Sequence, residues 1–136
     1  MLILSGCSSD DDDNYISLHN SWMLVSYGNE SNKVLKEAEG YYYIITFNPD
    51  NTYSGWAYMN EMGGEYKCRG NNIEISHPCL TKVYYEGADE DMFFLEHLSD
   101  VSTYVINDRE LRLYYSKDEY FKFRYMDSTY FISTQK

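Results

Sequence analysis

The chain has 136 residues, 43% of them hydrophobic and 18% aromatic, with 16 Tyr against only two Pro. That is the size of a single domain with enough apolar content for a core, and the aromatic bias favours strands over helices. Eleven basic against 22 acidic residues give a formal charge of -11, a surface that repels phosphate backbones and so excludes charge-driven nucleic-acid binding.

The first seven residues are Met1-Leu2-Ile3-Leu4-Ser5-Gly6-Cys7. Leu4-Ser5-Gly6-Cys7 resembles the lipobox that ends a bacterial lipoprotein signal, in which the cysteine is acylated and becomes the new N-terminus. The resemblance implies that Cys7 carries a lipid anchor and that residues 1–6 are the remnant of a signal peptide. A full signal needs a basic segment and an apolar core of about 7 to 15 residues, so its start is expected upstream. Ser8-Ser9-Asp10-Asp11-Asp12-Asp13 resembles the acidic export signal of surface lipoproteins of the Bacteroidetes, which implies an outer-membrane lipoprotein facing the medium. A tether inside the periplasm is the other reading. Four adjacent aspartates repel one another and extend the chain, so residues 7–14 read as an acidic tether and 15–136 as one domain. No run approaches the roughly 20 apolar residues that a membrane-spanning helix needs, which points to a soluble body held at the membrane through Cys7.

In chain order, Ser21 to Tyr27 reads as a first strand closed by Gly28-Asn29, and the polar stretch to Gly40 as a loop with one turn of helix. Tyr41 to Phe47 is a strand by composition, Asn48-Pro49-Asp50-Asn51 a turn, and Thr52 to Met59 the returning partner. Asn60 to Gly63 is expected to turn the chain again, with Gly63-Gly64 supplying backbone freedom. Glu65 to Cys68 and Ile73 to Ile75 follow as short strands around Gly70-Asn71. Acids at Asp89, Glu90 and Asp91 suit the start of a helix, and Met92, Phe94, Leu95 and Leu98 recur at helical spacing, predicting a helix near 89–98. Thr103 to Ile106, Leu111 to Tyr115 and Tyr120 to Tyr125 complete a set of hairpins. Leu111, Leu113 and Tyr115 alternate with Glu110 and Arg112, and Phe121, Phe123 and Tyr125 with Lys122 and Arg124, giving one core face and one wet face. The fold class is mainly β (α+β): a curled antiparallel sheet or partly closed barrel of seven or eight short strands with one helix.

The order Trp22-x-Leu24, Ile45-x-Phe47, Asn60-x3-Gly64-x-Tyr66, Gly70, Ile73-x-Ile75, Thr81, Phe94-x3-Leu98, Tyr104-x-Ile106, Leu111-x-Leu113 and Phe121-x-Phe123 resembles the META domain of heat-shock lipoproteins of the HslJ type. The resemblance implies a small envelope domain with a stress-linked role and no established catalytic set. Family members often carry Cys-Asn where this chain has Met59-Asn60, so no family disulfide transfers. A lipocalin-like lipoprotein, with a cup for an apolar ligand, is the alternative, because a Trp near the start of a strand meander suits it too.

An oxidising compartment would permit a disulfide between Cys68 and Cys79; two unlinked core thiols are the other reading, and neither spacing nor neighbours suggests zinc. His19, His77 and His97 are scattered, with His97 placed on the exposed flank of the helix, and no hydrolase or metalloprotease motif is present. Glu61 with Glu65 and Asp89 with Asp91 are carboxylate pairs of the kind an acid-rich chain yields by chance. The expectation is therefore no enzyme, no cofactor and no metal, but a module for an unknown protein or small-molecule partner. Aromatics supply its candidate surface. Tyr41, Tyr43, Ile45 and Phe47 share one strand face and Trp56 with Tyr58 share a face of the partner strand; if that face is core, the opposite one bears Tyr42 and Tyr53. The candidate binding surface is thus Tyr42, Tyr53, Trp56 and Tyr58, since Tyr and Trp are stiff and amphipathic.

Overall fold

Along Ser21–Asn29 (β1), burial alternates residue by residue, as a strand with one dry face requires. This is a computed structural model that describes residues 16–29, 36–37, 43–57, 60–81 and 88–126, with the backbone alone at 36–37 and 88–92. After β1 come the two-residue β2 (Lys36–Glu37), then β3 (Tyr43–Phe47), β4 (Thr52–Ala57), β5 (Asn60–Arg69), β6 (Asn72–Ile75) and the short β7 (Cys79–Leu80). The helix α1 (Ala88–Leu98) precedes β8 (Thr103–Asn107), β9 (Glu110–Tyr114) and β10 (Glu119–Met126).

Every pairing is antiparallel, and the order β1-β3-β4-β5-β6-β8-β9-β10 returns to β1, so eight strands close a barrel. The sheet expected from the sequence is therefore fully closed. β2 adds to β1 beside Ser26 and Tyr27, where the sequence suggested a helical turn, and β7 adds to β5 beside Met62 and Gly63. Closure leaves no long open edge to recruit another chain.

Two irregularities bend the wall. Leu24 faces Phe123 and Ser26 faces Lys122, so Val25 is an extra residue in β1, a β-bulge. A second lies around Ser76-His77-Pro78: Ile75 faces Tyr66 and Cys79 faces Gly63, four steps against three. Pro78, with no N–H to donate, sits where the ladder is already broken.

Asn60 to Gly63 is strand, not turn: Ala57 pairs with Asn60, Ser54 with Gly63 and Tyr53 with Gly64. Its glycines make room for neighbours instead of reversing the chain. A Cβ on Gly64 would press within 2.9 Å of the Tyr53 ring and hydroxyl.

Inward side chains fill the barrel. Trp22, Ile45, Phe47, Tyr53, Tyr66, Leu111, Leu113, Phe121 and Phe123 are buried, with the indole N–H of Trp22 donating to the Leu18 carbonyl at 3.1 Å. Phe47 meets Tyr66 edge-on at 4.8 Å between ring centroids, and Phe94 of α1 meets Phe121 at 5.2 Å. The helix lays Phe93 against Tyr27 and Tyr115 and Phe94 against Tyr43 and Phe121, closing the mouth with Leu95 and Leu98 buried beside them. Rings occupy the volume that a lipocalin-like cup would need empty, which disfavours the apolar-ligand alternative.

Among the described residues, one buried side-chain oxygen has no hydrogen-bond partner. Ser26 is 6% exposed and its Oγ makes no hydrogen bond. An unsatisfied buried hydroxyl costs about 1 to 3 kcal/mol, so Ser26→Ala is expected to leave stability unchanged or raise it by about 1 kcal/mol, read as the urea midpoint. A clear fall in that midpoint would show that the hydroxyl does have a partner.

Candidate interaction surface

Register decides which residues meet on the outside of the barrel. Met23 of β1 faces Arg124 of β10 on one side and Ile44 of β3 on the other; Ile44 faces Trp56 of β4, and Trp56 faces Glu61 of β5. Directly opposed residues point to the same side of a sheet. Arg124, Met23, Ile44, Trp56 and Glu61 therefore form one row across five strands, apolar in the middle and oppositely charged at its ends. Trp56 is 42% exposed and, with Val105, is one of two large hydrophobic side chains so exposed among the described residues. The next row is polar, with Ser21 and Thr46 hydroxyls 2.7 Å apart.

Of the four aromatics expected on the surface, Trp56 is there. Tyr53 is not: it is 2% exposed, and its hydroxyl donates to the Ser76 carbonyl at 2.6 Å. The reason is register. Phe47 faces Tyr53 across the hairpin, so Tyr53 shares the core side with Phe47 and Ile45, while Trp56 falls on the solvent side. Tyr42 and Tyr58 lie outside the described residues, as does Cys7.

Cys68 and Cys79 are not bridged to each other. Cys68 is disulfide-bonded and packs half-buried against the core, whereas Cys79 is an exposed free thiol. Cys79 stands beside Gly63, five positions up β5 from Cys68; at about 3.3 Å per residue that is roughly 16 Å, against the about 5.5 Å between Cα atoms that a disulfide spans.

The candidate chemical groups stay apart. Glu61 and Glu65 are exposed on one side of β5, four residues and about 13 Å apart along the strand, and the side chains of Asp89 and Asp91 lie outside those described. His77 is exposed between β6 and β7, and His19 precedes β1. His97 is half-buried, not on an open flank: it stacks on Phe93 at 4.2 Å, meets the Tyr115 ring at 5.0 Å, and its Nδ1 lies 2.9 Å from the Phe93 carbonyl oxygen. These contacts make it part of the helix packing. Among the described residues no group of three or more His, Cys, Asp or Glu is placed to hold a metal ion.

Met23 and Ile44 were not singled out in the sequence. Each is an ordinary apolar strand residue; only the pairing of β10, β1, β3, β4 and β5 shows them to be neighbours of Trp56.

A closed, ring-filled antiparallel barrel of eight short strands, plugged by one helix and carrying an exposed indole on its outer wall, is a small β-barrel domain. The chain belongs to the META domain family, whose model matches residues 16–127. Two solved structures share the fold. One is a DUF4847 family protein from Bacteroides vulgatus, 16% identical, with a TM-score of 0.60 over 79% of this chain and 92% of that one. The other is a protein from Burkholderia xenovorans, 12% identical, with a TM-score of 0.66 over 91% of this chain and 98% of that one. No curated protein matches the chain.

Proposed function

We propose that this META-domain protein is a noncatalytic envelope lipoprotein with a stress-linked role, held at the outer membrane by lipid on Cys7 and turned toward the medium, that captures a protein partner through the Met23-Ile44-Trp56 row. The observation that carries the binding reading is the exposed indole of Trp56 between apolar neighbours, with Arg124 and Glu61 at the two ends to fix the orientation of a partner. Trp is the residue most enriched among those that dominate binding energy, and charged rims set register more than affinity. The lipobox-like Leu4-Ser5-Gly6-Cys7 and the aspartates after it support the anchor; the periplasmic face of the membrane is the alternative location.

The test is in-cell crosslinking and pull-down of the full lipoprotein with mass spectrometry, beside Trp56→Ala and Cys7→Ser. A stoichiometric partner is expected, with capture reduced at least about tenfold by Trp56→Ala, the loss of an interface anchor, and abolished by Cys7→Ser. Equal capture by Trp56→Ala at unchanged melting temperature would remove the row from the interface. Lipid on Cys7 predicts that intact-mass spectrometry of the membrane-extracted protein reads an acylated N-terminal cysteine, a mass that Cys7→Ser lacks. A Cys7 found unmodified or in a disulfide would refute the anchor.

A further inference from the structure

A chain with twice as many acids as bases gathers four of its 11 cations on one wall of the barrel. Arg109 in the β8–β9 turn, Arg112 of β9, and Lys122 and Arg124 of β10 surround an open groove of about 620 Å³, whose lining includes Arg109, Lys122 and Arg124 together with Val25, Asp108 and Glu110. The β1 bulge carries Val25 into this groove.

Among the described residues the charges there are only partly neutralised. Glu110 faces Arg124 in the ladder, yet its carboxylate is taken by Arg112, whose Nε donates to it at 2.7 Å. Lys122 faces Arg112, a like-charge pair placed directly across two strands, an arrangement that costs stability unless something anionic bridges it. The side chains of Lys122 and Arg124 make no hydrogen bond or ion pair among the described residues. Arg109 rests over the Tyr125 ring at 5.2 Å, a cation–π contact that holds the guanidinium at the rim without consuming its N–H donors. Asp108, at the left-handed position of the turn (φ 61°), is the other carboxylate at the rim. The wall thus holds four cations against two carboxylates, one of them already engaged.

We propose that this groove is a binding site for one oxyanionic group, a phosphate or a carboxylate, held by Arg109, Lys122 and Arg124. Guanidinium forks pair such groups through two parallel N–H donors, and an ammonium adds a point charge. The overall negative charge of the protein then works for selectivity, because only an anion small enough to sit among these three cations escapes repulsion by the rest of the surface.

The probes are inorganic phosphate and, separately, citrate, titrated into the full chain at low ionic strength while backbone amide shifts are followed by NMR. Saturable shifts confined to residues 107–110 and 122–125 are expected for at least one probe. Saturation by phosphate alone assigns a phosphate, by citrate alone a carboxylate, and by both a general oxyanion site. Arg109→Gln with Lys122→Gln, at two positions outside the Trp56 row, should weaken that binding at least tenfold. Partner capture through Trp56 should persist in this double variant, which separates failure here from failure of the interaction reading. No saturable shift with either probe, or equal affinity in the double variant, would overturn the site.

Discussion

Gly55→Ala is expected to destabilise the domain by about 3 kcal/mol, at the upper end of what overpacking costs, and to do so more than alanine at any other strand glycine in β4 or β5. Gly55 pairs with Ile45 on one side and Met62 on the other. A Cβ there would run into the Ile44 carbonyl oxygen, with the Ile44 carbonyl carbon and the Ile45 Cα each 3.0 Å away. All three are backbone atoms of β3, so relief requires moving one strand against another at the point where β3 and β4 carry Trp56 and Ile44. At Gly64 the obstacles are the Ser76 hydroxyl and the Tyr53 ring. Ser76 can rotate away at the loss of the bond it accepts from the Glu65 N–H, so the cost should be intermediate. At Gly63 the nearest atom is the Tyr53 carbonyl oxygen at 3.2 Å, which calls for a small adjustment. Urea unfolding should therefore rank the variants Gly55→Ala, Gly64→Ala, Gly63→Ala from least to most stable. A Gly55→Ala protein as stable as Gly63→Ala would mean that the two strands do not approach this closely.

That contrast also marks how far the sequence could be read. Two adjacent glycines suit a turn and suit a close approach of backbones equally well, because both rest on the missing Cβ. Only knowing what lies across the strand separates them. The β9–β10 hairpin was legible because Leu111, Leu113, Phe121 and Phe123 alternate with charges, and one face of the wall is wet. The β3–β4 hairpin is legible too, with its turn at Asn48 to Asn51, but not which face of β4 turns inward, because aromatics stand on both faces and a one-residue slip in register exchanges them. Tyr53 and Trp56, three apart on β4, face opposite sides by alternation, and the pairing across the turn at Asn48 to Asn51, with Asn51 at φ 72°, decides that Tyr53 is the one turned inward. Barrel closure compounds the difficulty. The Met23-Ile44-Trp56 row draws on elements far apart in sequence, so it has no local pattern to find, and the Arg109-Lys122-Arg124 groove shows in the sequence only as the alternating cations of β10. Whether Cys68 and Cys79 are bridged stays open in the sequence on the same ground: a gap of 11 residues looks like a short loop until β6 and β7 are laid along β5 with a bulge between them.

Alkaline unfolding should be steep between about pH 10 and pH 12, because three core phenols resist ionisation in the fold. Tyr53, Tyr66 and Tyr115 are each pushed up to about 12, burial being the main cause in every case; the Ser76 hydroxyl offsets part of it at Tyr53. In the unfolded chain the same groups titrate near 10. Between the two values the unfolded chain gives up protons that the folded one keeps, so stability falls as pH rises; it is fully present below about pH 10 and exhausted above about pH 12. One unit corresponds to about 1.4 kcal/mol, and three groups shifted together remove several kcal/mol, a large share of the roughly 5 to 15 kcal/mol that holds an ordinary domain. Geometry gives the same direction. The Tyr53 hydroxyl donates to the Ser76 carbonyl and the Tyr66 hydroxyl to the Asn48 carbonyl at 2.8 Å, bonds that a phenolate has no proton to make. Tyr53→Phe should therefore cost stability at neutral pH through the lost bond to Ser76, yet show a shallower decline above pH 10 than the parent chain. Melting temperatures taken across this range on both proteins give the readout, and parallel curves would mean that Tyr53 is not among the groups whose ionisation opens the barrel.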